Sequence, residues 1–364
     1  MRESPPLLRS YNDKGLSGGF LEDFAVMAIP EHTFPSRTKW LLRQKKLWAG
    51  LTLWLLLGAS LVVLGGRMLP LKMVEDHTMT PVQHVIGSLI ELLILLLMMG
   101  LVQLVARRRS YPDLAARAPD RGVSAREAAW LWVYAAIVLG FGQWLGLHLF
   151  GEGIGLHLNG CISGATRVQS PAEVWTWAMY NGVFYALIPY VTFRRRGYSR
   201  RDLNLGSADW KNDTFIILLV LLIGCGLELL GPNIFQLTHH QQLAGGSLSF
   251  FVHLLGTDLP IMIFIYAILV PRYYRLFSPA TAFLLGAVSY PALHIFESWT
   301  NYDTPMHSLL SVMFAFFVFF PAGLMKSYLT MRTGNAWVHM WAYHAFTPHV
   351  MVDTRLVVKD FGIQ

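Results

Sequence analysis

Charge is scarce in this chain. Only 14% of its 364 residues are Asp, Glu, Lys or Arg, and 54% are hydrophobic, whereas an ordinary soluble domain has about 25% charged residues. The apolar residues also fall in long blocks. The composition therefore excludes a soluble enzyme, a nucleic-acid-binding domain and a disordered chain. It predicts a polytopic, all-α integral membrane protein, because helices and closed barrels alone satisfy their own backbone in hydrocarbon.

Several familiar motifs are absent as well. The sequence contains no H-E-x-x-H zinc motif, no P-loop, no dinucleotide-binding fingerprint and no internal repeat. It has two cysteines, Cys161 and Cys225, and Cys225 lies in an apolar run, which argues against a structural disulfide. The chemistry must therefore be sought among the few polar residues inside apolar segments.

Nine apolar stretches have the length of about 17–25 residues that a helix needs to cross a bilayer. They predict transmembrane helices at 47–65, 82–106, 128–150, 173–193, 213–231, 250–270, 279–297, 306–325 and 335–352. We expect four parts in the chain. They are a polar cytoplasmic N-terminal segment 1–46, about three helices in 47–172, a core of about six helices in 173–353 and a short tail 354–364.

Positive charge is distributed unequally between the predicted loops. With the N-terminus placed in the cytoplasm, 24 of the 29 lysines and arginines fall in cytoplasmic segments, as the positive-inside rule requires. The net charge of +7 is thereby explained by orientation and predicts no nucleic-acid partner. We expect the plasma (inner) membrane of a bacterium, with the N-terminus in the cytoplasm and the C-terminus outside.

Few ionisable residues lie within the predicted spans, and each is costly in hydrocarbon and marks a candidate functional site. Five of them come from three helices at a similar depth in the outer half of the bilayer: Asp258, His294, Glu297, His344 and His349. Their common depth predicts one buried catalytic site, in which imidazoles and carboxylates activate a water as general base and acid. His294, His344 and His349 are also candidate ligands of Zn²⁺.

Spacing refines this prediction. His294 and Glu297 are three residues apart, so they share one face of an α-helix. His344 and His349 are five apart, which separates them by about 140° on an α-helix. They point at one centre only if the helix breaks, and Pro348 between them predicts a kink. The alternative interpretation is structural, because intramembrane histidines also serve as hydrogen-bond partners between helices.

Three segments within 258–353 form a further pattern. Residues 282–294 end in Tyr290 and His294, an aromatic residue followed four positions later by histidine; residues 324–336 precede the last predicted helix, which then carries His344. The pattern resembles the CPBP family of intramembrane proteases, which includes the CAAX prenyl endopeptidases and the bacteriocin-processing proteins. The resemblance implies a CPBP-like helical core in the C-terminal half and peptide-bond hydrolysis at a membrane-buried site.

The sequence departs from the family at two motifs. The family's first motif, a pair of glutamates followed by arginine, falls on 261–262 and Tyr266 when it is counted back from His294 without gaps. Asp258 lies one turn upstream and is the candidate replacement. The asparagine or aspartate expected in the last motif is replaced by Pro348. The prenyl endopeptidases act at the cytoplasmic side, whereas the loop charges place this site toward the outside.

These observations leave alternative functions. The first is a CPBP-like intramembrane protease with altered catalytic residues, which contacts membrane lipid and cleaves a membrane-associated peptide or protein. The second is a catalytically inactive CPBP-like membrane protein that acts as a binding, maturation or assembly partner. A transporter with a proton or metal relay is a third interpretation, and the lack of internal duplication argues against it.

Overall fold

The computed structural model describes residues 44–72, 79–151, 154–160, 168 and 170–364. Lys46–Gln364 forms one compact unit. Nearly all of the predicted N-terminal segment 1–46, together with Cys161, lies outside the described residues. Within the described ranges every regular element is helical and no strand occurs, which confirms the predicted all-α class.

Ten helical segments are labelled here in chain order. They are α1 (Lys45–Leu64), α2 (Pro81–Val105), α3 (Arg121–Phe150), α4 (171–195), α5 (Trp210–Glu228), α6 (His239–Leu276), α7 (Pro279–Ala292), α8 (Pro305–Thr333), α9 (336–352) and α10 (Thr354–Asp360). Three of them, α4, α6 and α9, contain π-helical stretches, whose backbone hydrogen bonds join residues five apart. These stretches are Gly182–Leu187, Leu254–Asp258, Met262–Leu269 and Met340–Val352.

Six of the described helices, α1, α2, α3, α5, α6 and α8, are long and apolar enough to cross a membrane. The other predicted spans, 173–193, 279–297 and 335–352, overlap α4, α7 and α9. Large apolar side chains on the outer helices face outward; Leu53 of α1 is 67% exposed and Leu97 of α2 is 62% exposed. Contiguous apolar exposure of this kind is typical of contact with lipid, so the structure agrees with an α-helical membrane protein.

Local sequence signals begin several of these helices. In α2, Thr80 and Gln83 form a capping box, in which the Thr80 backbone N–H donates to Gln83 Oε1 over 2.7 Å. Thr238 and Gln241 repeat this arrangement at the start of α6. Proline occupies the first turn of α2, α7 and α8, where its missing N–H sacrifices no hydrogen bond.

Helix α6 lies at the centre of the described unit. In its most apolar stretch 83% of the residues are buried, against 17% in α1, so α1 is peripheral. Helix α6 packs against α4, α7, α9 and α10. Near its C-terminal end, the fully buried Arg272 pairs with Glu127 of α3, Nη2 to Oε2 2.8 Å. Helix α6 therefore holds the side chains it carries inside the protein.

The predicted helix 279–297 ends earlier, at Ala292. Pro291 cannot donate a backbone hydrogen bond, and the chain continues in tight turns, with Glu297 N donating to His294 O over 3.2 Å. The prediction that His294 and Glu297 share a helix face is therefore wrong.

The predicted helix 306–325 continues instead to Thr333. Lys326 and Arg332, which the loop assignment counted as cytoplasmic charges, lie inside α8, and each is only 1% exposed. A hydropathy profile predicts that a transmembrane helix ends at the first charged residues. These two charged residues lie within the helix because they have partners inside the protein. Arg332 Nε, for example, donates to Gln103 Oε1 over 3.1 Å.

Candidate functional site

The π-helical winding of α9 brings two histidines to one face. His344 and His349 both lie in Met340–Val352, and the Asp353 N–H donates to the Pro348 carbonyl, five residues back, over 3.0 Å. Because residues five apart lie about one turn apart in a π-helix, the two imidazoles are neighbours, with ring centroids 5.2 Å apart. The winding of the helix, rather than the predicted kink, aligns them.

Helix α6 also has a π-helical stretch that brings two ionisable residues to one face. His253 and Asp258 are also five residues apart and bracket the π-helical stretch Leu254–Asp258. The Leu259 N–H donates to the Leu254 carbonyl, so this turn too closes over five residues. Since α9 packs against α6 as well as α5, two pairs of ionisable side chains face each other inside the protein.

Asp258, His344 and His349 meet in a cluster that we call the buried triad. Asp258 Oδ1 lies 3.2 Å from His344 Nδ1 and 3.6 Å from His349 Nε2. The three residues are between 0% and 2% exposed. Across the described part of the chain, none of these facing atoms has a hydrogen bond of normal geometry. Burial of polar groups without such bonds is costly and calls for a functional explanation.

A second aspartate orients one member of the triad. Asp353 Oδ2 lies 3.0 Å from His349 Nδ1 and 3.3 Å from His253 Nε2. The rings of His253 and His349 stack, with centroids 4.2 Å apart. Ser249 ties this pair to the backbone, because its hydroxyl donates to the His349 carbonyl over 2.7 Å and its own carbonyl lies 2.7 Å from His253 Nδ1.

The sequence-predicted site omitted His253 and Asp353. Their positions carry a signal that a search for residues on one helix face could use, since His253 precedes Asp258 by five residues and Asp353 follows His349 by four. The first spacing has meaning only for a π-helix, and hydrophobic periodicity does not reveal such a helix.

His294 lies beside the triad and is fully buried. The Tyr290 ring lies near both, with its centroid 4.3 Å from that of His294 and 6.0 Å from that of His344. His294 Nδ1 lies 2.7 Å from the Tyr290 carbonyl, so Nδ1 carries the proton of the neutral ring. Nε2 is then a lone pair, and it has no hydrogen-bond partner among the described residues.

Glu297 is directed elsewhere. Its carboxylate accepts a hydrogen bond from the backbone N–H of Gly160, in the loop 154–160. The side chain is buried, and this contact holds the loop against the end of α7. The structure therefore does not bring Glu297 into the triad.

The same loop contains a buried histidine outside the predicted spans. The His157 carbonyl accepts from Trp177 Nε1 over 2.8 Å and from Asn181 Nδ2 over 3.0 Å. The ring is 1% exposed. Burial lowers the pKa of His157 from 6.5 to about 4, although a contact with the Leu158 carbonyl opposes the shift. His157 is therefore neutral at physiological pH.

A buried lysine also lies beside this region. Lys326 is 1% exposed, and its Nζ lies 3.3 Å from the centroid of the Tyr290 ring. Tyr290 thus contacts both Lys326 and His294. Sequence reasoning missed Lys326 because it assigned this residue to a loop.

The positions that the sequence resemblance aligned with a glutamate–arginine motif carry packing residues. Ile261, Met262 and Tyr266 are all fully buried in α6, and the Tyr266 hydroxyl donates to the Gly323 carbonyl over 3.4 Å. Asp258 is the one acidic residue in the sequence of α6. The carboxylate of this helix therefore stands at Asp258, one turn before these packing residues.

Two groups of side chains could hold a metal ion. They are Asp258 with His344 and His349, and His253 with His349 and Asp353; in each, the ligand atoms lie within 4.8 Å of one another. Across the described residues, the predicted combination of His294 with His344 and His349 does not form such a group, and Asp258 takes the place of His294. One carboxylate and two imidazoles suit Zn²⁺ and neighbouring first-row ions.

No protein-family model, curated protein or solved structure matches this chain. The structure itself defines the class, an all-helical protein with several helices that are apolar and long enough to span a membrane, and with a carboxylate–imidazole cluster buried between α6 and α9.

Proposed function

We propose that this protein is an intramembrane peptide hydrolase of the CPBP type with altered catalytic residues, and that the buried triad activates the hydrolytic water. The observation that carries the proposal is the convergence of Asp258, His344 and His349, whose facing atoms are 3.2 and 3.6 Å apart. The resemblance of Tyr290 and His294 to the family's second motif supports it.

The triad has the groups that peptide hydrolysis requires. The water oxygen attacks the carbonyl carbon, and its proton passes to a carboxylate or imidazole of the triad. The C–N bond then breaks as the leaving nitrogen takes up a proton from the same groups. Three polar atoms within 4.8 Å of one another are sufficient partners to hold one water. His294 Nε2 offers an additional proton acceptor beside them.

We further propose nine spans in a bacterial inner membrane, with the N-terminus in the cytoplasm. The excess of lysine and arginine in alternate loops supports this orientation, as do the six helices of sufficient length and apolarity. The substrate class is a membrane-associated peptide or protein, because the triad is buried between helices rather than open at a loop.

Cleavage can be tested without knowing the substrate. The wild type and the variants Asp258→Asn and His344→Ala would be expressed at equal levels in cells that lack the native protein, and new N-termini of membrane proteins would be identified by terminus-selective mass spectrometry. We expect a set of termini that requires both Asp258 and His344. Asp303→Asn, which changes an exposed carboxylate, should retain that set. Identical termini in the wild type and both triad variants would contradict the proposal.

The second candidate function is a catalytically inactive CPBP-like protein that binds a membrane partner. It is favoured by the apolar packing residues at 261–262, where the family has its glutamate pair. In that case, a photo-crosslinker in the wild type, Asp258→Asn and His344→Ala would capture the same partner to the same extent, and no cleavage would depend on the triad.

A further inference from the structure

We propose that the buried triad binds one divalent transition-metal ion, with Zn²⁺ preferred, through Asp258 Oδ1, His344 Nδ1 and His349 Nε2. The proposal deepens the proposed function and rests on it for the role of the ion, whereas binding itself is argued from geometry and tested without any measurement of activity.

The first argument is distance. Zn²⁺ binds imidazole nitrogen and carboxylate oxygen at about 2.0–2.2 Å, so two ligand atoms at a tetrahedral angle lie about 3.4 Å apart. Asp258 Oδ1 lies 3.2 Å from His344 Nδ1 and 3.6 Å from His349 Nε2. These separations bracket the required value. They are also contacts without hydrogen-bond geometry within the described residues, and the three ligand atoms lie within 4.8 Å of one another.

The second argument is the tautomer of His349. A histidine that binds a metal through one nitrogen commonly donates the other N–H to a carboxylate, which fixes the ring and raises its basicity. His349 Nδ1 lies 3.0 Å from Asp353 Oδ2. This contact places the proton on Nδ1 and leaves the Nε2 lone pair directed at the triad. Asp353 is thus a positioning residue for the ion, and it directly follows the helix that carries both histidines.

The third argument is charge. Asp258 is 0% exposed and has no hydrogen bond to either carboxylate oxygen within the described part of the protein. A buried carboxylate is stable when it is paired or bound to a metal. Lys326 interacts electrostatically with Asp258 but makes no hydrogen bond to it, whereas a divalent ion shared with two imidazoles would bind Asp258 Oδ1 directly.

The second group, His253 with His349 and Asp353, is the weaker ligand set. Binding there would use His349 Nδ1, and the proton would move to Nε2, which faces Asp258. The atoms without hydrogen bonds at Asp258 and His344 would then keep no partner. An ion in the triad satisfies Asp258 Oδ1 and His344 Nδ1, and it leaves Asp353 to accept from His349.

The ion also explains how hydrolysis could proceed without the glutamate pair of the family. Bound Zn²⁺ lowers the pKa of a coordinated water to about 7, so no strongly basic glutamate is needed. The fourth ligand position of a site with three protein ligands is the place for that water.

Metal content is the direct test. The full-length protein would be purified in detergent without chelators, incubated with Zn²⁺ alone, desalted and analysed by inductively coupled plasma mass spectrometry. We expect one zinc per chain in the wild type. Asp258→Asn and His344→Gln should weaken binding by at least the 10–100-fold that loss of an outer partner causes, and so lose the ion on desalting. Glu228→Gln, which changes an intramembrane carboxyl group outside the triad, should keep it.

A measurement on the wild type alone guards against variants that fail to fold. Co²⁺ should give the intense visible absorption of a four-coordinate site with nitrogen and oxygen ligands, and Zn²⁺ should displace it. Absence of stoichiometric zinc, or the weak spectrum of hydrated Co²⁺, would overturn the metal proposal. His344-dependent cleavage by a metal-free protein would overturn it while leaving the proposed function in place. Bound zinc without cleavage would support the site and contradict the hydrolase.

Discussion

His349 Nδ1 lies 3.0 Å from Oδ2 of Asp353, the residue that directly follows α9. The contact fixes the proton of the neutral ring on Nδ1, so the lone pair of Nε2 is directed at Asp258, 3.6 Å away. A carboxylate that accepts from an imidazole in this way sets both the tautomer and the basicity of the ring. Asp353 therefore positions His349, and Asp258 marks the side on which the chemistry takes place.

Removing this acceptor is expected to weaken the site without removing a ligand. In Asp353→Asn the affinity for Zn²⁺ should fall about 10–100-fold, the usual effect of losing such a partner, and His344-dependent cleavage should fall with it. Asp353→Glu should restore part of the affinity because it keeps a carboxylate. Competition with a chromophoric chelator measures the change. If both variants lose thermal stability but bind Zn²⁺ as tightly as the wild type, Asp353 is structural only.

The ion pair between α3 and α6 should be required for folding. Glu127 accepts from Arg272 Nε over 2.9 Å and from the Tyr198 hydroxyl over 2.9 Å. Glu127→Ala leaves a fully buried guanidinium without its carboxylate, which costs about 3–5 kcal/mol. Glu127→Gln keeps an acceptor and should cost less. The thermal midpoint in detergent should fall in the order wild type, Glu127→Gln, Glu127→Ala, and Asp303→Ala serves as the exposed control. Equal midpoints for Glu127→Ala and wild type would refute the prediction that the ion pair stabilises the fold.

Sequence reasoning reached the fold class and the core of the site because charge is so rare in this chain. Asp258, His344 and His349 are among the few ionisable groups in apolar segments. Their similar predicted depth in the bilayer was therefore enough to group them into one candidate site. It could not foresee the π-helical winding, since a period of 3.6 residues is the default for helices. It also misplaced Glu297, whose partner Gly160 lies in a loop 137 residues away in the sequence, a contact that no local pattern reports.

The close approach of α4 to the π-helical turn of α6 depends on a glycine. A Cβ at Gly256 would overlap the ring of Trp177, which is fully buried. Gly256→Ala should therefore destabilise the protein by about 1–3 kcal/mol through overpacking, and should shift the adjacent Asp258. A Cβ at Gly226 of α5 meets no atom within 4 Å, so Gly226→Ala should be neutral or stabilising. Thermal midpoints that fall equally in both variants would contradict this assignment.

The proposed orientation of the protein in the membrane can be tested by cysteine labelling at two exposed positions. Arg200 lies in a predicted cytoplasmic loop and Asp303 in a predicted outer loop, and both side chains are exposed. In a variant free of the native cysteines, Asp303→Cys should react with a membrane-impermeant maleimide added to intact cells. Arg200→Cys should react only after the cells are permeabilised. The reverse pattern would invert the topology, and labelling of both in intact cells would contradict the predicted separation of the loops.

The buried His157 should make stability depend on pH. Its pKa is lowered to about 4 in the folded protein from 6.5, so between these pH values the unfolded state binds more protons than the folded state. Stability is therefore complete above about pH 6.5 and falls as the pH drops toward about 4, by up to about 3 kcal/mol. His157→Gln removes this contribution and keeps the backbone carbonyl that binds Trp177 and Asn181.

The measurement is the difference in thermal midpoint between about pH 7.5 and about pH 4.5, a range that spans the titration, for wild type, His157→Gln and His148→Gln. Other buried histidines titrate in all three proteins, so the contribution of His157 is the part of the decrease that His157→Gln alone abolishes. His148 is exposed, and its variant should follow the wild type. An equal decrease in His157→Gln and wild type would mean that the ring is reached by water and protonates as readily in the folded protein as in the unfolded chain.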